Sequence, residues 1–164
     1  MSVRPDLVEC WVFRVPADRS EPEILLLRRA PGRIFAGLWQ CVTGGIEPGE
    51  RVPQAALREV EEETGLSGDE IDAIYDLDQT AWFYDEGADA LVSSAVFAVR
   101  VRPDAVPRPS HEHDDARWVA AAEAPRIAVW PAYEESIRRI VERLLDPDLA
   151  RWFELSRDGR RLAR

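Results

Sequence analysis

The sequence contains no lysine; all 21 of its cationic side chains are arginines. That absence excludes a Walker A phosphate loop, which closes on a lysine, and any mechanism through a lysine Schiff base. Cysteine is nearly as scarce. Cys10 and Cys41 stand alone, without metal-like spacing, and read as reduced structural thiols rather than a disulfide. No apolar run approaches the ~20 residues that span a bilayer, and the first ten residues lack the basic and apolar regions of a signal peptide. The expected compartment is therefore the cytoplasm, with no membrane partner. An excess of positive charge is missing too: the net charge is −10. A nucleic-acid footprint, which neutralises many phosphates, is not expected on such a surface. What is present is the composition of an ordinary globule, 164 residues with 46% hydrophobic and 32% charged side chains, enough for one domain with a real core.

Acidic residues concentrate in residues 43–66, TGGIEPGERVPQAALREVEEETGL. Pro53 suits the first turn of a helix, residues 54–64 are good helix formers, and Gly65 supplies the stop. On a helical wheel Ala56, Leu57, Val60 and Thr64 share a face that can bury against a sheet, while Glu59, Glu62 and Glu63 gather at i, i+3 and i+4. Like charges so placed destabilise an isolated helix, and a hard divalent cation, Mg²⁺ or Mn²⁺, is the simplest remedy. The alternative for such a run is a solvated acidic face.

Along the chain, residues 7–15 and 23–29 read as strands, residues 38–43 as a short strand leading to the glycines, and residues 71–84 and 91–101 as a hairpin. Residues 116–120 form a last short strand. Residues 131–145 carry the apolar spacing of an amphipathic helix. In the tail, residues 146–164, Leu149, Trp152, Phe153 and Leu155 fall at helical spacing. This predicts a short helix docked on the domain or on a second copy in a homodimer, followed by a frayed basic end. Mixed strands with one helix mid-chain and one late predict an α/β fold with helices on both faces of a mixed sheet.

Gly44, five residues, Glu50, seven residues and then Arg58-Glu59-Val60-Glu61-Glu62-Glu63-Thr64-Gly65-Leu66 fill all nine fixed positions of the Nudix box. The chain thus resembles the Nudix hydrolases, which split nucleoside diphosphates linked to another moiety. The resemblance covers residues 8–145 and implies an α/β/α sandwich, a single domain over residues 1–164, and a small phosphorylated substrate handled through bound metal. By the same resemblance Glu59, Glu62 and Glu63 bind the metal, Arg58 orients Glu59, and Glu50 supports the site. Glu112, in a loop ahead of the last strand, resembles the extra metal ligand of several branches; the alternative is an ordinary loop acid. His111 and His113 have no partners to complete a zinc site and read as surface or supporting residues.

For the substrate, residues 39–44, preceded by Arg28-Arg29, resemble the bacterial dihydroneopterin triphosphate pyrophosphohydrolases, as do Arg117-Trp118-Val119 and Trp130. That likeness places Arg28, Thr43, Gly44 and Gly45 at the substrate and implies release of pyrophosphate from a pteridine or nucleoside triphosphate. The turn at residues 85–90 departs from it, being short and acidic. Ser110-Glu112-His113 and Tyr84, a base-stacking candidate, also resemble the diadenosine tetraphosphate hydrolases. A third reading, from a different class, is a nucleotide-sensing Nudix module without catalysis.

Overall fold

Strand β1 (Leu7–Arg14) is buried along almost its whole length, and its alternate residues enter two different cores. Trp11 and Phe13 pack with Tyr75, Val96, Tyr133, Ile137 and Ile140 on one face. Val8, Cys10 and Val12 pack with Ala55, Ala56, Val60, Phe97 and Val99 on the other. A strand covered on both faces must be apolar at successive positions, as this one is. The computed structural model, which describes residues 2–163, is therefore an α/β/α sandwich.

The remaining elements are β2 (Glu23–Arg29), β3 (Trp39–Gln40), β4 (Val42–Gly45), α1 (Val52–Thr64), β5 (Ile71–Asp85), β6 (Ala90–Val101), β7 (His113–Ala120), α2 (Ala124–Ile127), α3 (Pro131–Arg139), α4 (Pro147–Ala150) and β8 (Glu154–Leu155). The sheet runs β3-β2-β1-β6-β5-β8, with β4 beside β1 and β7 beside β2. Only β1 and β6 are parallel, which makes the sheet mixed. Helix α1 covers one face and α3 the other. Among the described residues no helix is long and apolar enough to cross a membrane.

One irregularity positions the site. Strands β1 and β2 pair only at Phe13–Ile24 and Arg14–Glu23, then splay apart. Residues 39–45 enter the wedge: β3 pairs with β2 through Leu27 and Arg28, and β4 pairs with β1 from Cys10 to Leu7. The chain changes partner at buried Cys41, and the glycines emerge at the open end of the wedge. Helix α1 follows, with Pro53 in its first turn. It ends on Gly65 at φ 69°, a left-handed conformation in which glycine has no Cβ to clash.

The structure departs from the sequence reading in three places. Strand β7 starts at His113 rather than at residue 116, because its ladder with β2 continues through a bulge to Arg29. The late helix turns from α to π geometry over Ile140–Leu144, with Ile140 and Leu144 still facing inward. The tail is not one helix: α4 is capped by Asp146, whose carboxylate accepts from the Asp148 N–H at 2.9 Å, and the chain then turns into β8. There Leu155 pairs with Ile74 and is buried. The basic end is tied down as well. Arg157 donates to the carbonyls of Gly68 and Ile71 at 2.8 and 2.9 Å, and Arg51, at the start of α1, donates to Gly159 O at 3.1 Å.

Candidate active site

Arg58 is the hub of the acidic cluster. Its Nε and Nη2 donate to Glu50 Oε1 and Oε2 at 2.9 and 3.1 Å, a bidentate grip. Nη1 donates to Glu59 Oε1 at 2.7 Å and to Glu62 Oε2 at 3.3 Å, and Nη2 also reaches Gly45 O at 2.8 Å. Glu50 and Glu59 on one guanidinium hold its proton more tightly still, Glu50 contributing most. The Glu50 carboxyl is held below its usual range in return, chiefly by Arg58. Glu50 also closes its own loop by accepting from the Glu47 N–H at 3.0 Å. Like-charge repulsion on the helix face is thus met in part by an arginine from within the same helix.

Gly44 explains why the loop needs glycine at this point. A Cβ there would lie 2.0 Å from Glu59 Cδ and 2.2 and 2.4 Å from its two oxygens. The carboxylate rests directly on the Gly44 backbone, and a Cβ there would have to push it aside. Burial raises the Glu59 pKa, and Arg58 opposes the shift.

Glu63 differs from its neighbours. The Glu62 side chain is 57% exposed, whereas that of Glu63 is 7% exposed. Burial, with Glu59 and Glu112 nearby, pushes Glu63 up to about 9, although the Thr43 backbone favours its charged form. Its Oε2 has no hydrogen-bond partner and lies 3.8 Å from His113 Nε2. His113 is shifted the other way, first by burial and then by Arg29, so this contact at neutral pH joins two neutral groups rather than an ion pair. Gln40 Nε2 completes the layer, 3.4 Å from His113 Nε2 and 3.5 Å from the Thr43 hydroxyl.

The structure therefore brings together Glu50, Arg58, Glu59, Glu62, Gly44 and Gly45, with Glu63 and Thr43 adjoining. Glu112 sits in the loop before β7, partly exposed, 3.8 Å from Arg33, and close enough to raise the pKa of both Glu59 and Glu63. Two residues stand apart. Arg28 is engaged by Asp114 at 2.7 Å beside the Trp39 ring. Tyr84 lies on the β5–β6 hairpin, exposed, its hydroxyl donating to Asp89 at 2.8 Å. His113 is buried, with its Nε2 facing Glu63. Gln40 and Arg29 belong to the segments whose likeness pointed to the substrate, and the structure sets both beside Glu63 and His113 instead.

As placed, no three His, Cys, Asp or Glu side chains among the described residues converge tightly enough to hold an ion. The donor set nevertheless fits a hard divalent cation. It is all carboxylate oxygen, one buried oxygen of Glu63 lacks a partner, and Glu62 and Glu112 are exposed enough to swing toward it.

Residues 10–140 match the family model described as NUDIX domain. The chain belongs to the Nudix family. An octanoyltransferase of Myxococcus xanthus is 40% identical over 120 residues, covering 73% of this chain and 32% of that protein. The chain spans about a third of the length of the first curated relatives it matches. Among solved structures, a C. elegans Ap4A hydrolase aligns with a TM-score of 0.69 at 22% identity, over 85% of this chain and 96% of that one. The E. coli dihydroneopterin triphosphate pyrophosphohydrolase aligns with a TM-score of 0.67 at 23% identity, over 82% and 94%. Both likenesses establish the Nudix fold, and Nudix hydrolases generally use divalent metal ions.

Proposed function

We propose that this Nudix chain is a divalent-cation-dependent pyrophosphohydrolase that splits a nucleoside or pteridine triphosphate into the monophosphate and pyrophosphate. The observation that carries this reading is the Arg58 hub, which fixes Glu50 and holds Glu59 against the Gly44 backbone. Glu59, Glu62, Glu63 and Glu112 would hold the cation, Mg²⁺ or Mn²⁺. Such an ion, when bound, neutralises phosphate oxygens and acidifies a coordinated water. Arg58 keeps the Glu59 carboxylate in one orientation, so that little rearrangement is left for the reaction itself. A carboxylate of the cluster accepts the proton of the attacking water as the bond to the leaving pyrophosphate breaks. The Gly44-Gly45 backbone leaves room for the phosphate chain beside Thr43. Arg28 would share its charge between Asp114 and the substrate.

The likeness to the E. coli dihydroneopterin triphosphate enzyme supports a triphosphate. A dinucleoside polyphosphate is the second reading. It is favoured by the likeness to the C. elegans Ap4A hydrolase and by Trp82 and Tyr84, which are 60% and 61% exposed on the hairpin and offer stacking surfaces for another nucleoside. A panel of pteridine triphosphate, nucleoside triphosphates, diadenosine polyphosphates, ADP-ribose and nucleotide sugars, with products identified by phosphorus NMR in ¹⁸O water, separates these. The expected result is highest kcat/KM on a triphosphate with release of pyrophosphate. ATP appearing from a two-ended substrate favours the second reading. Binding without turnover of any member favours a sensor.

A further inference from the structure

One buried acid belongs to no part of the carboxylate cluster. Glu9 is the lone charged residue inside the apolar run of β1; it is 7% exposed and its Oε2 has no hydrogen-bond partner. Ser94 on the neighbouring strand favours its charged form, and burial nevertheless pushes it up to about 7. A carboxylate so placed is costly to keep unless donors arrive to meet it.

The register shows where Glu9 faces. Residues paired directly across strands share a face of the sheet. Gln79, Val96, Glu9 and Thr43 form one row across β5, β6, β1 and β4. On one side of this row Trp11 is covered by Tyr133 of α3, ring centroids 4.9 Å apart. Helix α3 begins at the row itself, where the Ala132 carbonyl accepts from Gln79 at 3.2 Å. On the other side the rows continue through Ala81 and Ser94 to Phe83, which is 43% exposed. Ala81 and Ser94, in the row beyond Glu9, are still buried, and exposure on this face begins at Phe83. At the same end of the helix, exposed Trp130 meets Phe35 edge to face at 5.9 Å. Phe35 holds φ at 57°, a left-handed conformation that is uncommon for a bulky residue, and its side chain is exposed. Thr43 joins this face to the acidic cluster, since its backbone favours the charged form of Glu63 while the residue pairs with Glu9 across the strands.

We propose that Glu9 is a specificity-determining acceptor for the non-phosphate end of the substrate, selecting a ring N–H beside an exocyclic amine, the 2-amino-4-oxo-pyrimidine edge common to guanine and pterins. The proposal rests on the triphosphate reading above. Two parallel N–H groups match the two oxygens of a carboxylate, whereas adenine sets a ring lone pair beside its amine and opposes acceptor to acceptor. The flat ring would lie by Phe83 and the Phe35–Trp130 pair.

The test compares kcat/KM for GTP, a 2-amino-4-oxo-pteridine triphosphate and ATP, alongside calorimetric binding of GMP and AMP, which needs no cleavage. The wild type is expected to favour the donor-edged substrates over ATP, and GMP over AMP, by at least about tenfold. Either donor-edged compound in the lead supports the proposal, and their ratio identifies the source of the edge. Glu9→Gln, which sets an amide donor against the same edge, is expected to bring the ratio near one, with the loss falling on KM. Glu9→Asp, which withdraws the carboxylate by one methylene, is the second variant should the first fail to fold, and it too is expected to lower the ratio. An unchanged GMP-to-AMP ratio in a folded variant, or a wild-type ratio near one, overturns the proposal. Retained preference for GMP without turnover of any triphosphate would instead overturn the pyrophosphohydrolase reading and leave the Glu9 assignment in place.

Discussion

Glu63→Gln should make the metal-free protein more stable while destroying its response to metal. The carboxyl of Glu63 releases its proton near pH 4.5 in an unfolded chain but near 9 in the folded one, because burial and the neighbouring Glu59 and Glu112 disfavour its charge. Folded Glu63 therefore binds more protons than unfolded Glu63 between these limits. Its penalty is absent below pH 4.5, grows as pH rises, and is complete above about 9. Each pH unit inside that window costs the fold about 1.4 kcal/mol, so by pH 7 the penalty reaches roughly 3 kcal/mol. Glutamine keeps the shape and never ionises. In EDTA at pH 7 the variant should then melt some 6–12 °C above wild type, given about 2–4 °C per kcal/mol for a domain of this size. At pH 4 the two should coincide. Added Mg²⁺ should raise the melting temperature of the wild type, with release of a proton visible by calorimetry in two buffers, and should leave the variant nearly unmoved. A variant that is no more stable than wild type at pH 7 in EDTA, or a difference that fails to widen from pH 4 to pH 8, refutes the reasoning.

Three further outcomes are expected. Hydrolysis should cease in excess EDTA, and Glu59→Gln should lower kcat by at least ~10², equivalent to about 2.7 kcal/mol of transition-state stabilisation; full activity in either case removes the carboxylate mechanism. Gly44→Ala should leave the circular dichroism spectrum intact while cutting kcat by at least about tenfold, since the new Cβ would stand 2.0 Å from Glu59 Cδ and must displace the carboxylate; wild-type kinetics would show that Glu59 need not rest there. Glu112→Ala should raise the metal concentration giving half-maximal activity with little change in melting temperature, because a partly exposed loop acid contributes little to stability; an unchanged metal titration places Glu112 outside the site.

The box was legible because its chemistry is local. A glycine loop, a proline-started helix and carboxylates three and four apart are fixed by backbone geometry within residues 44–66. The strands were legible from their apolar runs. What could not be read were properties set by contacts between distant segments. The wheel puts Glu62 and Glu63 on one face, yet only Glu63 is enclosed, by Thr43 from β4 and His113 from β7. The burial of Glu9 is likewise set by distant segments, since β6 and β4 flank β1 at this position. The tail misled because Leu149, Trp152, Phe153 and Leu155 share a helical period, while Trp152 is in fact 54% exposed and Leu155 is claimed by β5. A two-residue strand leaves no periodic trace in a sequence.

The docking of that tail bears on the order of folding. The hydrogen bond from Arg51 to Gly159 joins residues 108 positions apart, and Gly159 sits close enough to Pro53 that a Cβ would meet its ring at 3.0 Å. Contacts of such sequence separation form only after a long loop has closed. During synthesis the box helix is thus complete about a hundred residues before its outer brace exists. Until then its first turn can fray, and amide exchange at residues 52–56 should report the arrival of the tail rather than the formation of the helix itself.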